Sequence, residues 1–124
     1  MLKVSIVIDV SDLGTAVAFY QGALGCSLER EQPTHVTLRA AGVTIHLSEK
    51  PPGSKAASTC DATRSYARHW TPVHLDFDVD DLDARVALVE QRGGAVEDTR
   101  RGDWGAAAFC VDPFGNGFCL LELR

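Results

Sequence analysis

The sequence Ile8-Asp9-Val10-Ser11-Asp12-Leu13, with Val17-Ala18-Phe19 and Gly25 behind it, returns 69 positions later. There it reads Phe77-Asp78-Val79-Asp80-Asp81-Leu82, followed by Val86-Ala87-Leu88 and Gly94. A second echo lies at an offset of 73, where Gly42-Val43-Thr44-Ile45-His46-Leu47 answers Gly115-Asn116-Gly117-Phe118-Cys119-Leu120. Two copies of a unit this small cannot each bury an apolar face, so they must pack together into one core. The repeat also says which residues occupy equivalent places. Ser5 matches His74, and His46 matches Cys119.

A chain of 124 residues suffices for one such core without disulfides or structural metal. Its net charge of −5 leaves no basic stripe, which argues against nucleic acid as a partner. No apolar run approaches the length of a membrane span. The N-terminal apolar stretch ends in Asp9 and a capping serine, so it reads as a strand rather than a signal peptide. The cysteines at 26, 60, 110 and 119 have no zinc-ribbon spacing; they read as reduced thiols of a cytoplasmic protein.

The predicted order is βαβββ, twice: an α+β chain. The first half, about 1–49, opens with a strand near 3–10 and a helix capped at Ser11 and stopped at Gly25. Strands near 27–31, 34–40 and 43–48 follow, punctuated by Pro33 and by Ala41-Gly42. The second half, about 71–124, repeats this with a strand at 72–79, a helix capped at Asp80, and strands near 95–100, 105–112 and 116–123. Residues 50–70 form a linker or a lid, with Tyr66, His69 and Trp70 at its exit as lid residues or as an aromatic anchor.

Strand alternation sorts the faces. Val73, Leu75, Phe77 and Val79 face a helix; His74, Asp76 and Asp78 face away from it. In the other half Ile45 and Leu47 are core, while Ser5 and His46 point away. Val36, Leu38, Phe109, Val111, Phe118 and Leu120 are assigned to the core. Arg39, Cys110 and Cys119 then line the bare faces, with Cys110 opposite Cys119 if residues 113–116 make a four-residue hairpin loop. Curling turns the bare faces into a cavity. There Arg39 can hold an anionic group or pair with Asp78 or Asp112, and Trp104 can stack on a planar ligand or plug the cavity end.

Three stretches carry a family resemblance. They are Asp9-Val10-Ser11-Asp12-Leu13 with Ala18-Phe19-Tyr20, then His74 through Leu82, then Asp112-Pro113-Phe114-Gly115-Asn116-Gly117-Phe118-Cys119. The chain resembles the vicinal oxygen chelate superfamily of glyoxalase I, extradiol dioxygenases and fosfomycin and bleomycin resistance proteins, and most of all its glyoxalase-like branch. The resemblance implies a sheet curled around a divalent metal, Zn, Ni, Mn or Fe, and a homodimer. In some members one site draws on two chains. It also implies ligands from the first and fourth strands of each half, here Ser5, His46, His74 and Cys119.

Serine is a poor ligand for these metals, so His46, His74 and Cys119 form the candidate set, with Asp76 as orienter or general base. Glyoxalase I chemistry needs a metal-bound carboxylate base at these places, which the chain lacks. Three functions stay open: a metal-assisted lyase, isomerase or dioxygenase-type enzyme on a small oxygenated molecule, a metal-free protein that sequesters a drug or metabolite, or a metal-independent acid/base enzyme using His74 or Asp76.

Overall fold

A computed structural model of the chain describes residues 1–69 and 71–124. The roles weighed for Trp70 lie outside the described residues. The expected order is present. β1 (Ser5–Val10), α1 (Leu13–Gly22), β2 (Ser27–Gln32), β3 (His35–Ala40) and β4 (Val43–Glu49) form the first half. β5 (Leu75–Asp78), α2 (Leu82–Gln91), β6 (Ala95–Gly102), β7 (Gly105–Val111) and β8 (Gly117–Leu123) form the second. Each half is a four-stranded mixed sheet, ordered β1-β4-β3-β2 and β5-β8-β7-β6. The first and last strands of each unit run parallel, and the rest of the sheet is antiparallel.

The helix caps fall one residue later than the sequence suggests. Asp12 accepts from the Thr15 amide, and Asp81 accepts from the Ala84 amide. In Ser11-Asp12 and Asp80-Asp81 either residue can cap, and the one three positions before a free N–H wins. β5 starts at Leu75, so Val73 precedes it and is 80% exposed rather than packed beneath a helix.

Each sheet carries its helix on one face, and the two helix-bearing faces meet. Phe19 of α1 packs edge-on against Phe118 of β8, and Arg85 of α2 donates to the Ala23 carbonyl just past α1. Val10, Phe19, Leu38, Ile45, Leu47, Leu82, Val89 and Leu120 are fully buried in this shared core. The opposite face of each sheet carries no helix, and at the seam of the halves His74 lines a cleft of about 320 Å³ together with Val7, Ile8 and Asp9 of β1.

Between β4 and β5 the chain is fastened down. Arg64 pairs with Asp9 at 2.8 Å, the Tyr66 hydroxyl donates to the Lys50 carbonyl, and the His69 amide donates to the Gly115 carbonyl. Tyr66 also packs edge-on against Phe114, the anchoring role foreseen for an aromatic at this exit.

Candidate functional site

The β7–β8 hairpin decides what the second bare face contains. Its register pairs Val111 with Gly117, Cys110 with Phe118 and Phe109 with Cys119. The loop is thus five residues rather than four. Directly opposed residues of an antiparallel pair share a face, so one extra loop residue exchanges the two faces of β7. This corrects the faces assigned along β7. Cys110, read onto the bare face, is 1% exposed and packs with Phe118, although it still contributes to the lining of the cavity that His74 and Cys119 share. Val111, read as core, is half-buried on the other face. Phe109, assigned to the core, stands beside Cys119 on the bare face with the Arg100 guanidinium 5.3 Å over its ring.

The five-residue loop is built around Asp112, 3% exposed, which sequence reasoning treated only as a turn or rim residue. Its carboxyl accepts from the amides of Phe114 and Asn116, from the Asn116 side chain, and at 2.6 Å from the Tyr20 hydroxyl of α1. Burial, and then the charge of Asp112, push the Tyr20 hydroxyl well above its ordinary pKa. An Asx-type turn is legible in Asp-Pro-Phe-Gly-Asn. Its length is not, because the Tyr20 contact comes from 92 residues away.

On this face His74 Nε2 lies 3.1 Å from Asp76 Oδ1, and β5–β8 pairing sets Asp76 beside Cys119. Candidate donor atoms of His74, Asp76 and Cys119 all lie within 4.8 Å of one another. Burial, and then the neighbouring Asp76, raise the Cys119 thiol pKa, so the sulfur rests protonated. Phe109, Leu121 and Leu123 continue the face as an apolar floor, since Leu121 and Leu123 share the alternation of Cys119. His74 and Cys119 line a cavity of about 180 Å³ together with Arg68, Glu97 and Cys110. Arg68 binds Glu97 through two 2.8 Å bonds, and this partner holds the Glu97 carboxyl below the usual range.

His46 is elsewhere. It lies in the hollow of the first sheet, about 620 Å³, with Ser5, Thr37 and Arg39. Its Nδ1 is 3.1 Å from His35 Nε2 and 3.2 Å from the Thr37 hydroxyl. Ser5 and Val7 occupy the places that His74 and Asp76 hold in the second half, across from Thr44 and His46. One copy of the chain therefore brings His74, Asp76 and Cys119 together and leaves His46 and Ser5 apart from them. Arg39 pairs at 3.2 Å with Glu29, not with Asp78 or Asp112. Trp104 stands 49% exposed at the β6–β7 turn against Gly102, away from the cavity lined by His74. Alternation put His35 on the bare face but gave it no role, and Arg68 and Glu97 escaped sequence reasoning. Only alternation along β3 pointed to His35, and nothing local pointed to the other two.

The donor set fits the kind of metal that the fold family implies. Imidazole, carboxyl and thiol donors converge from one sheet face and suit zinc or iron with an open position. Coordination requires removal of the Cys119 proton, which metal binding itself achieves.

Comparison with known proteins places the chain. A family model described as "Glyoxalase-like domain" matches residues 5–121. The anthracycline biosynthesis protein DauV of Streptomyces sp. (strain C5) is 35% identical over 118 residues. That match covers 91% of this chain but 38% of DauV, so the chain spans about two-fifths of its relative's length. TnmS3, an antibiotic binding protein from Streptomyces sp. CB03234, is 26% identical at a TM-score of 0.65, covering 99% of this chain and 98% of that one. The fosfomycin resistance protein FosX of Listeria monocytogenes shares the fold, with a TM-score of 0.75 and 18% identity over 100% of this chain and 94% of its own. The duplicated βαβββ sheets and these matches agree: the chain belongs to the glyoxalase-like domain family of the vicinal oxygen chelate superfamily.

Proposed function

We propose that the chain binds a small, flat, oxygenated organic molecule of the kind handled in aromatic antibiotic biosynthesis, in the hollow of the second sheet. One observation carries this reading: a single bare face joins the His74–Asp76 pair to the apolar floor of Phe109, Leu121 and Leu123. Such a face suits a ring system whose edge bears hydroxyl or carbonyl oxygens. Similarity to DauV and TnmS3 supports the ligand class. We further propose that a second copy closes the hollow, its first sheet facing the second sheet of its partner. Val7 and Leu123, each 60% exposed on these faces, then lose contact with water, and His46 joins His74 across the interface.

The test is calorimetric titration with 1,2-dihydroxyanthraquinone, alongside sedimentation of the free protein. Binding near one ligand per chain to a dimer is the expected result. No heat and no rise in melting temperature at saturating ligand would refute the reading.

A second reading rests on the donor cluster of His74, Asp76 and Cys119: a metal-assisted enzyme acting on the same ligand. A bound metal would polarise adjacent oxygens of the ligand. The chain's own residues would orient it, with Asp76 positioning the His74 ring and accepting a proton. Elemental analysis after purification without chelator tests this. Metal that disappears in His74→Ala and Cys119→Ser but persists in His46→Ala assigns it to one half. Loss in all three assigns it across two copies, and equally little metal throughout removes the reading.

A further inference from the structure

Both hollows are framed by an arginine–glutamate pair, and in both the glutamate stands on a β-bulge. In the first sheet Leu28 faces Leu38 and Arg30 faces Thr37, so Glu29 is the unpaired extra residue. In the second Val96 faces Cys110 and Asp98 faces Phe109, so Glu97 is the extra one. Bulges re-aim a side chain, and these two turn carboxylates toward equivalent places, 68 residues apart, in the repeated unit.

The arginines are not equivalent. Arg39 lies on β3, opposite Thr44. The corresponding place on β7 is Val111, opposite Gly117, and carries no charge. The second guanidinium comes instead from the connector, as Arg68, and it lies over Gly117, where a Cβ would meet its Nη2 at 3.1 Å. The two halves thus hold the same ion pair at the same site by different routes.

We propose that Arg68 is the anion-recognising residue of the second hollow: it offers its guanidinium to an ionised oxygen of the bound aromatic ligand, and Glu97 is the counter-ion the ligand displaces. The proposal rests on the ligand-binding reading above and narrows it to ligands bearing a carboxylate or an acidic phenol or enol. Arg68 and Glu97 line the same cavity as His74 and Cys119, so the ion pair is in reach of a ligand bound there. Both side chains are 41% exposed, so an incoming anion can reach the pair, and an exposed pair is cheap to exchange. The bidentate bond keeps the planar fork ordered before the ligand arrives. Arg68 Nη1 also donates to the Gly115 and His69 carbonyls, but the connector is fastened besides by Arg64–Asp9, Tyr66–Lys50 and the His69 amide on Gly115.

The experiment titrates anthraquinone-2-carboxylate and its neutral isostere anthraquinone-2-carboxamide into wild type, Arg68→Gln, Arg68→Lys and Glu97→Gln at pH 7 and low salt. Wild type should prefer the carboxylate by about tenfold, the size of one charge-assisted hydrogen bond. Arg68→Gln should abolish that preference while leaving carboxamide affinity in place, and Arg68→Lys should keep part of it. Glu97→Gln should tighten the carboxylate several-fold and leave the carboxamide unchanged. Loss of both ligands in Arg68→Gln with a fall in melting temperature would make the pair a clamp only and overturn the proposal. A preference intact in Arg68→Gln, or no effect of Glu97→Gln, would also overturn it. Equal binding of the two ligands by wild type would sink this proposal and spare the ligand-binding reading, whereas binding of neither would sink both.

Discussion

Replacing Asp112 by alanine tests the feature on which the composition of the second hollow depends. The carboxyl accepts four hydrogen bonds. Asn116 is half-buried and can turn its donors to water. The Tyr20 hydroxyl, on a residue 2% exposed, and the amide of Phe114, 3% exposed, cannot. Each of these two stranded buried donors costs ~1–3 kcal/mol, so Asp112→Ala should destabilise the chain by ~2–6 kcal/mol. That is a large share of the roughly 5–15 kcal/mol that holds a domain together. Urea unfolding followed by circular dichroism measures it. Tyr20→Phe leaves the carboxyl with its three turn donors and should cost ~1 kcal/mol. Because both changes strand the same bond, the double variant should be less destabilised than the sum by ~1–2 kcal/mol. With the turn unpinned, a one-residue shortening of the loop would bring Cys110 outward, so alkylation of Cys110 in Asp112→Ala reports on register directly. A loss below ~1 kcal/mol, or additive single changes, would refute the view that this buried carboxyl sets the loop.

Three other outcomes are expected. At neutral pH a maleimide should label exposed Cys60 at least an order of magnitude faster than Cys26, Cys110 or Cys119, and Asp76→Asn should speed labelling of Cys119 alone, as removal of the neighbouring charge lowers its pKa. Stability should hold up to about pH 9 and fall above it. Folding raises Cys110 from 9.0 to about 12 and raises Tyr20 above 10.0, so the unfolded chain loses these protons first; a urea midpoint flat between pH 8 and 11 would contradict this. Gly115→Ala should loosen the connector, because φ is +80° and a Cβ would lie 2.2 Å from the Ala67 carbonyl oxygen. The left-handed backbone alone costs ~1–2 kcal/mol, and faster proteolysis near residue 67 is the readout.

The repeat made the βαβββ order legible, since its apolar alternation and capping residues are local signals that each half states independently. Core membership followed for Ile45, Leu47, Val36, Leu38, Phe118 and Leu120, all buried as read. Alternation failed on β7, where Phe109 and Cys110 exchanged places. A period of two has no tolerance for a loop one residue longer than assumed, and the extra residue is held by a tyrosine on a distant helix. The bulges at Glu29 and Glu97 were invisible for a related reason: an unpaired residue shows only once a partner strand is present. The gathering of His74, Asp76 and Cys119 was half legible. His74 and Asp76 lie two apart on one strand, but the parallel pairing that adds Cys119 is a tertiary fact. His46 was assigned to a hollow shared with His74; in one copy of the chain it lies with Ser5, Thr37 and Arg39 in the hollow of the first sheet.

The meeting of the two helix-bearing faces separates inheritance from innovation. Any change at the seam of α1 and α2 is felt by both halves at once, so the seam must evolve as a unit. The helix-free surfaces carry no such debt to each other. One surface holds an imidazole pair and the other gathers a carboxyl and a sulfur, and substitutions at either set leave the shared core untouched.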